Sequence, residues 1–396
     1  MKNKFLIFIL FFFSFSFSTK ALEINSANAI LYNMNNDEII YQKNSDEIIK
    51  IASLTKIMTS IVAIENIDSL SDTIVITNKM LDGLLEQNAS VAGLKVGDIV
   101  TYEDLLYATL LPSGADAAQS LAISISGNVK DFVDLMNEKA NQLHLNNTYF
   151  TNTSGLDYLD NHSTVKDVAE MLKYALKNET FKKIFKSRYY TTTNGLVLIS
   201  TTQTTSLKYN IDTSYIIGSK TGTTTKAGLC LASITNYNGI NYLLVTAGAD
   251  KNLNKPLNFI DSDKIYKYFF ENYNNYSILK KGDVLLSLNN KYSKNKVDII
   301  SDVDYSIYLL KNQYENIRYE YVGKEDVSIF TKDVIVGKYN IVLNDEIIKT
   351  IDIYKPKKMN FSIFLFIFNY LYVFIPLCVL IVFCVVILKK IKNTSF

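Results

Sequence analysis

Cysteine and histidine are scarce in this 396-residue chain, and what little there is does not cluster. Cys378 and Cys384 lie in an apolar tail, which leaves Cys230 without a partner and excludes a disulfide scaffold. The two histidines, His144 and His162, lack zinc-type spacing, so metal-dependent hydrolysis is not expected, nor is a metal or cofactor. An excess of positive charge is also missing from the body. Of 41 basic residues, three sit in residues 1–21 and three in residues 361–396, stretches that hold no acid. The remaining 35 stand against 39 acidic residues, which argues against a nucleic-acid partner. At 48% hydrophobic residues, the chain has ample material for a core and is not disordered.

The two ends are unlike the middle. Lys2 and Lys4 precede an almost unbroken apolar run from Phe5 to Phe17, and Ala21 follows as a small residue near a cleavage point. Residues 1–21 therefore read as a signal peptide, with an uncleaved N-terminal anchor as the alternative. Residues 361–388 carry no charge, and Lys389, Lys390 and Lys392 follow at once. That length spans a bilayer of ~30 Å with some tilt, with Pro376 expected to kink the helix rather than end it. Lysines flank both sides of the span, so orientation follows from export: body outside, residues 389–396 as a short cytoplasmic tail. A single-pass membrane protein with an extracytoplasmic body is the expectation.

Between the ends lie two regimes. Over residues 22–275 strand and helix patterns mix. A hairpin is expected around Asn35-Asn36-Asp37, and another through Asn238-Gly239 between 227–236 and 240–249. Apolar residues recur at helical spacing through Leu54, Ile57, Met58, Ile61 and Ile64, in 131–143, in 167–176 and in 258–273. Strands at both sequence ends with helices between imply an α/β (α+β) domain, one antiparallel sheet between helices. Over residues 276–355 helical periodicity disappears and alternation takes over, as in Ile317-Arg318-Tyr319-Glu320-Tyr321. This second part reads as a small all-β domain, a spacer before the span, with a turn at Asn344-Asp345 and a break near Gly337.

Three short segments carry the chemistry. Ser53-Leu54-Thr55-Lys56 opens an amphipathic helix, and i,i+3 spacing places hydroxyl and amine on one helix face. Three other S-x-x-K copies begin at Ser163, Ser277 and Ser293, so the pattern alone is as well read as an N-capping serine beside a solvated lysine. A lysine serves as base for a serine only if burial and a second cation lower its pKa from ~10.4. That second cation is Lys220, in the chain's one Lys-Thr-Gly, Lys220-Thr221-Gly222, directly before a strand. There the lysine and the bare glycine share a face, leaving room for a peptide to lie along the strand. Ser113, in Leu111-Pro112-Ser113-Gly114-Ala115-Asp116, is placed at a helix start, where it could relay a proton or simply cap the helix.

Taken together, and in this order, the three segments resemble the active-site motifs of penicillin-binding proteins and serine β-lactamases. The nearer resemblance is to the low-molecular-mass serine-type D-alanyl-D-alanine carboxypeptidases, through Ala52 to Thr59, Leu111 to Ala118 and Gly218 to Gly222. Phe150 to Leu156 and His162-Ser163-Thr164 look like a further segment of that family. The resemblance implies removal of the last D-alanine from peptidoglycan pentapeptides ending in D-Ala-D-Ala, with β-lactams as inhibitors. It implies Ser53 as nucleophile, Lys56 as base and Ser113 as relay. Lys220, Thr221, Gly222 and Thr223 would bind substrate, the backbone N–H groups of Ser53 and Thr223 forming an oxyanion hole. The family's second motif usually has asparagine where this chain has Ala115, and Asp116 falls on another helix face. A β-lactamase, or a catalytically silent protein that binds peptidoglycan or β-lactams, are the rival readings.

Overall fold

The structure is a computed structural model that describes residues 22–84, 86–157, 160–332 and 334–393. The signal-peptide expectation for residues 1–21 lies outside the described residues, as does the end of the expected cytoplasmic tail. The chain divides into two units, residues 1–268 and 269–396.

The first unit is built on five antiparallel strands. These are β1 (Asn28–Asn33), β2 (Glu38–Lys43), β3 (Gly218–Thr224), β4 (Gly228–Tyr237) and β5 (Ile240–Ala249), in the order β2-β1-β5-β4-β3. Both expected hairpins form. The β4–β5 turn places Asn238 and Gly239 at φ 50° and 79°, the left-handed pair that a two-residue hairpin of this twist requires. The long-range step is β1 against β5, Ile30 opposite Val245, which joins the two sequence ends into one sheet. It leaves β3, the Lys-Thr-Gly strand, at an open edge.

One face of the sheet is covered by a helical half, with α1 (Lys56–Glu65), α2 (Ala115–Ser126), α3 (Val129–Gln142) and α4 (Val165–Ala175) among its elements. Every residue of α1 from Lys56 to Ala63 is buried. Ile57, Met58 and Ile61 join Ile30, Leu243 and Val245 of the sheet in one core. Asn128 and Thr164 cap α3 and α4 by accepting the N–H of Asp131 and Asp167. On the other face α5 (Leu257–Asn272) packs Phe259 against Leu231 and Ile216. The expected sheet between helices is therefore the fold. Asp261 on α5, fully buried, accepts the backbone N–H groups of Asn25 and Ser26 and both their side chains. Four charge-assisted bonds thus hold the start of the described chain in place.

The second unit begins in the last turn of α5 and is β-rich. Strands Tyr273–Leu279 and Tyr305–Leu310 pair, as do Val284–Asn290 and Val297–Ile300, while Ile317–Gly323, Ile335–Leu343 and Glu346–Tyr354 form a three-stranded meander. A single helical turn, Lys311–Tyr314, interrupts the β structure. The turn at Asn344-Asp345 forms with both φ values positive. Gly337 does not break a strand as expected. It lies within one, at a register shift, and a Cβ there would sit 2.5 Å from the Tyr321 ring, so its smallness serves packing. After the module come helices Ile363–Asn369 and Leu371–Asn393, separated at Tyr370, with Pro376 inside the second. Among the described residues one helix, over Leu371–Lys390 with mean hydropathy 3.2, is long and apolar enough to cross a bilayer.

Candidate active site

Ser53 sits on a 3₁₀ turn, Ala52–Thr55, that feeds directly into α1. The turn is strained at its first residue, where Ala52 takes φ 47°. What holds it there is the loop 151–157, threaded beneath. Gly155, at φ 80°, comes so close that a Cβ would lie 1.8 Å from the Ala52 carbonyl oxygen. Asn152 shapes this loop by accepting the N–H groups of Ser154 and Gly155 at 3.1 and 2.7 Å. Two further bonds tie the loop region to the nucleophile segment: Asn161 Nδ2 donates to Thr55 Oγ1 at 2.9 Å, and Thr59 Oγ1 to the Thr153 carbonyl at 2.7 Å.

The loop delivers the Ser154 carbonyl to Lys56. Lys56 Nζ lies 2.9 Å from that oxygen and 3.0 Å from Ser53 Oγ, and the residue is 1% exposed. Burial pushes the Lys56 pKa down from 10.5 to about 7, against a smaller upward pull from the Asp116 carboxylate. Lys220, 0% exposed on β3, donates to Ser113 Oγ at 2.8 Å and to the Thr221 carbonyl at 2.9 Å. Its pKa too is held well below 10.5, first by burial and then by the charge of Lys56. The two lysines, far apart in sequence and both buried, thus feel each other's charge, each with a serine hydroxyl as partner.

Ser113 is not at a helix start. The N-cap of α2 is Gly114, and Ser113 precedes it at φ 66°, a left-handed conformation that an ordinary capping serine does not need. Asp116 is an organiser, as its helix face implied. Its carboxylate accepts the N–H groups of Ala92, Gly93, Leu94 and Ala117 and so pins a loop over the start of α2. Ala115 lies beneath that loop, 2% exposed, its N–H donated to the Ser90 carbonyl at 2.7 Å.

On β3, Gly222 serves the protein rather than leaving a bare lining for substrate. A Cβ there would stand 3.1 Å from Ser53 N, the Ile51 carbonyl oxygen and the Ala52 Cβ. Glycine lets the strand abut the nucleophile turn. Thr221 Oγ1 donates to Thr201 Oγ1 at 2.7 Å, and Thr223 is exposed near the end of the strand. β3 is an edge strand, hydrogen-bonded within the sheet to β4 alone.

A family model described as D-alanyl-D-alanine carboxypeptidase matches residues 15–251. This chain belongs to that family. Among its relatives, a D-alanyl-D-alanine carboxypeptidase of Haemophilus influenzae is 30% identical over 306 residues, 72% of this chain and 73% of the relative. One of Streptomyces sp. strain K15 is 33% identical over 229 residues, 55% of this chain and 78% of the relative. Among solved structures, the Streptomyces K15 DD-transpeptidase superposes with a TM-score of 0.56 at 30% identity, covering 63% of this chain and 98% of its own. Penicillin binding protein 6B of Escherichia coli gives 0.63 at 23% identity over 86% of this chain and 98% of that one, a likeness of fold.

Within this D-alanyl-D-alanine carboxypeptidase site, sequence reasoning brought together Ser53, Lys56, Ser113 and Lys220, and geometry does the same. It assigned no role to Asn152, Ser154, Gly155 or Asn161. The available signal was the family-like segment Phe150 to Leu156. What the sequence conceals is that the useful group of Ser154 is a backbone carbonyl, which any residue type could supply.

Proposed function

We propose that this protein removes the terminal D-alanine from peptidoglycan stem peptides ending in D-Ala-D-Ala, through an acyl-enzyme on Ser53, and that β-lactams acylate the same serine. The observation that carries this reading is Lys56 Nζ at 3.0 Å from Ser53 Oγ with a pKa near 7. A base needs both reach and a neutral form at working pH, and this lysine has both. Neutral Lys56 takes the proton as Ser53 Oγ attacks the penultimate carbonyl. The backbone N–H groups of Ser53 and Thr223 stabilise the oxyanion, and Gly222 is the residue that lets their segments approach. Ser113, whose oxygen already accepts from Lys220, relays the proton that Lys56 took from Ser53 on to the departing D-alanine amine, which leaves both residues neutral again. Thr221, Thr223 and the Lys220 charge hold the terminal carboxylate; that anion reverses the burial shift of Lys220 and keeps it protonated. Water then releases the shortened peptide.

The open edge of β3 suits a substrate lying along it as an added strand. In this reading residues 1–21 direct export, residues 22–275 form the catalytic domain, residues 276–355 the β module, and residues 361–388 anchor the body outside the membrane as a single span. Intact-mass spectrometry after benzylpenicillin exposure is the test. A lasting adduct on Ser53 is the expected result. Fast loss of the adduct means a β-lactamase, and no adduct a silent binding protein.

A further inference from the structure

The β module carries, beside the start of the apolar tail, a surface that no catalytic role uses. A groove of about 490 Å³ is lined by Lys296, Lys355, Lys357 and Lys358 and by no carboxylate. Asp298, Asp302 and Asp352 line the neighbouring cleft, across the Lys355-Pro356-Lys357 segment. Lys355 has structural work: its ammonium donates to the carbonyls of Ile329 and Thr331 at 2.9 and 2.8 Å. Lys296, Lys357 and Lys358 are exposed, and no ion pair among the described residues engages them.

The loop that Lys355 clamps carries four apolar residues turned outward among polar ones. Phe330 is 56% exposed and Val334 71%, with Ile329 and Ile335 also exposed. The Phe330 ring packs 6.0 Å from that of Phe361 and 5.6 Å from that of Phe366. Tyr292 completes the cluster, its hydroxyl 2.8 Å from that of Tyr370 and its carbonyl accepting the Ser362 N–H at 2.7 Å. Phe361 opens the uncharged stretch, and Phe366 lies on the short helix Ile363–Asn369 that precedes Leu371. If the helix Leu371–Lys390 crosses a bilayer, Phe330 and Tyr292, which touch Phe366 and Tyr370 just ahead of it, come to lie at headgroup depth. Exposed aromatics, aliphatics and unpaired lysines on one face are the composition of a membrane-interface surface.

We propose that the β module lies on the leaflet it faces, with Ile329, Phe330, Val334 and Ile335 in the headgroup region and the lysine groove holding the phosphate of an anionic lipid. The inference rests on reading the helix Leu371–Lys390 as the membrane span. It gives the module a second, electrostatic attachment beside the helix. Each lysine near an anionic surface favours the docked state about fivefold, so three contribute about a hundredfold.

The chain has no tryptophan, so Phe330→Trp, and separately Val334→Trp, each creates a sole reporter in the full-length protein. Each is reconstituted into vesicles of phosphatidylcholine alone or mixed with phosphatidylglycerol. Flotation checks the span: protein left unbound to both vesicle types refutes the spanning reading itself. With floating protein, the expected result is blue-shifted emission, quenched by lipids brominated near the headgroup, more strongly with phosphatidylglycerol. Replacing Lys296, Lys357 and Lys358 together by Gln, or raising salt, should return the signal to its phosphatidylcholine level. Emission from both reporters that stays water-like and open to aqueous iodide in anionic vesicles overturns the docking. Quenching indifferent to phosphatidylglycerol and to the three lysines overturns the lipid groove.

Discussion

At the scale of single residues, Lys56 decides how the site behaves with pH. Its folded pKa of about 7 lies below the ordinary 10.5, so between these values the unfolded chain binds more protons than the folded one. Stability contributed at this site therefore rises with pH through that window, and the cost of burying the charge is fully present below about pH 7. Acylation needs the neutral amine, so the penicillin acylation rate should climb tenfold per pH unit below about 7 and level off above it. Lys56→Arg should lower the melting temperature above pH 7, where lysine is neutral, and abolish labelling of the folded protein at every pH in this range, because a guanidinium stays charged. Normal labelling of that variant would remove Lys56 from the mechanism. Ala115 poses a different residue-scale question. Lys56 already has Ser53 and the Ser154 carbonyl as partners, and Ala115 is closed in by a pinned loop. Ala115→Asn is therefore expected to lower the melting temperature and slow acylation by roughly tenfold, as overpacking of about 1–3 kcal/mol does. Stopped-flow acylation at equal folded concentration checks it, and a faster variant would mean that the site lacks an amide it could use.

At the scale of elements, the site is a meeting of four segments, each fastened by something other than a catalytic group. The 3₁₀ turn rests on loop 151–157 through Gly155, β3 abuts the turn through Gly222, and α2 is overlaid by the loop that Asp116 holds. Asp116→Asn keeps the shape but removes the charge behind three loop bonds, at a cost of about 2–3 kcal/mol in unfolding free energy. It also removes the upward pull of the Asp116 carboxylate on Lys56, so the rising limb of the acylation profile should move to lower pH. Chemical denaturation and a pH–rate profile measured on the same variant test the two effects separately. A limb that stayed in place would mean that Asp116 does not sense Lys56 across the helix start.

For the whole molecule, the proposed anchorage and the catalytic groups belong to separate units. A chain ending at Tyr354 loses the apolar helices and three of the groove's four lysines while keeping the first unit entire. It should be found in the soluble fraction and label with penicillin at the full-length rate. Persistent membrane fractionation would show that residues 361–388 are not the principal attachment.

Local patterning was enough to place the strands, the long helices, the β-rich module and the apolar tail, since periodicity, Asn-Gly turns and charge-free length act through near neighbours. The same locality made Ser53, Lys56 and Lys-Thr-Gly readable, because their residue types are dictated by what they do. Tertiary structure alone decided the rest. Gly337 reads as a break but is a packing site, since the Tyr321 ring beside it belongs to another strand. Gly222 reads as a bare lining but is a contact, because the turn it meets lies some 170 residues earlier. Ser113 reads as a cap, yet its left-handed φ is held by its surroundings and not by its neighbours in sequence. The pKa of Lys56 had the same origin: burial that no tetrapeptide can supply, created only when sheet, helix and loop close around the amine.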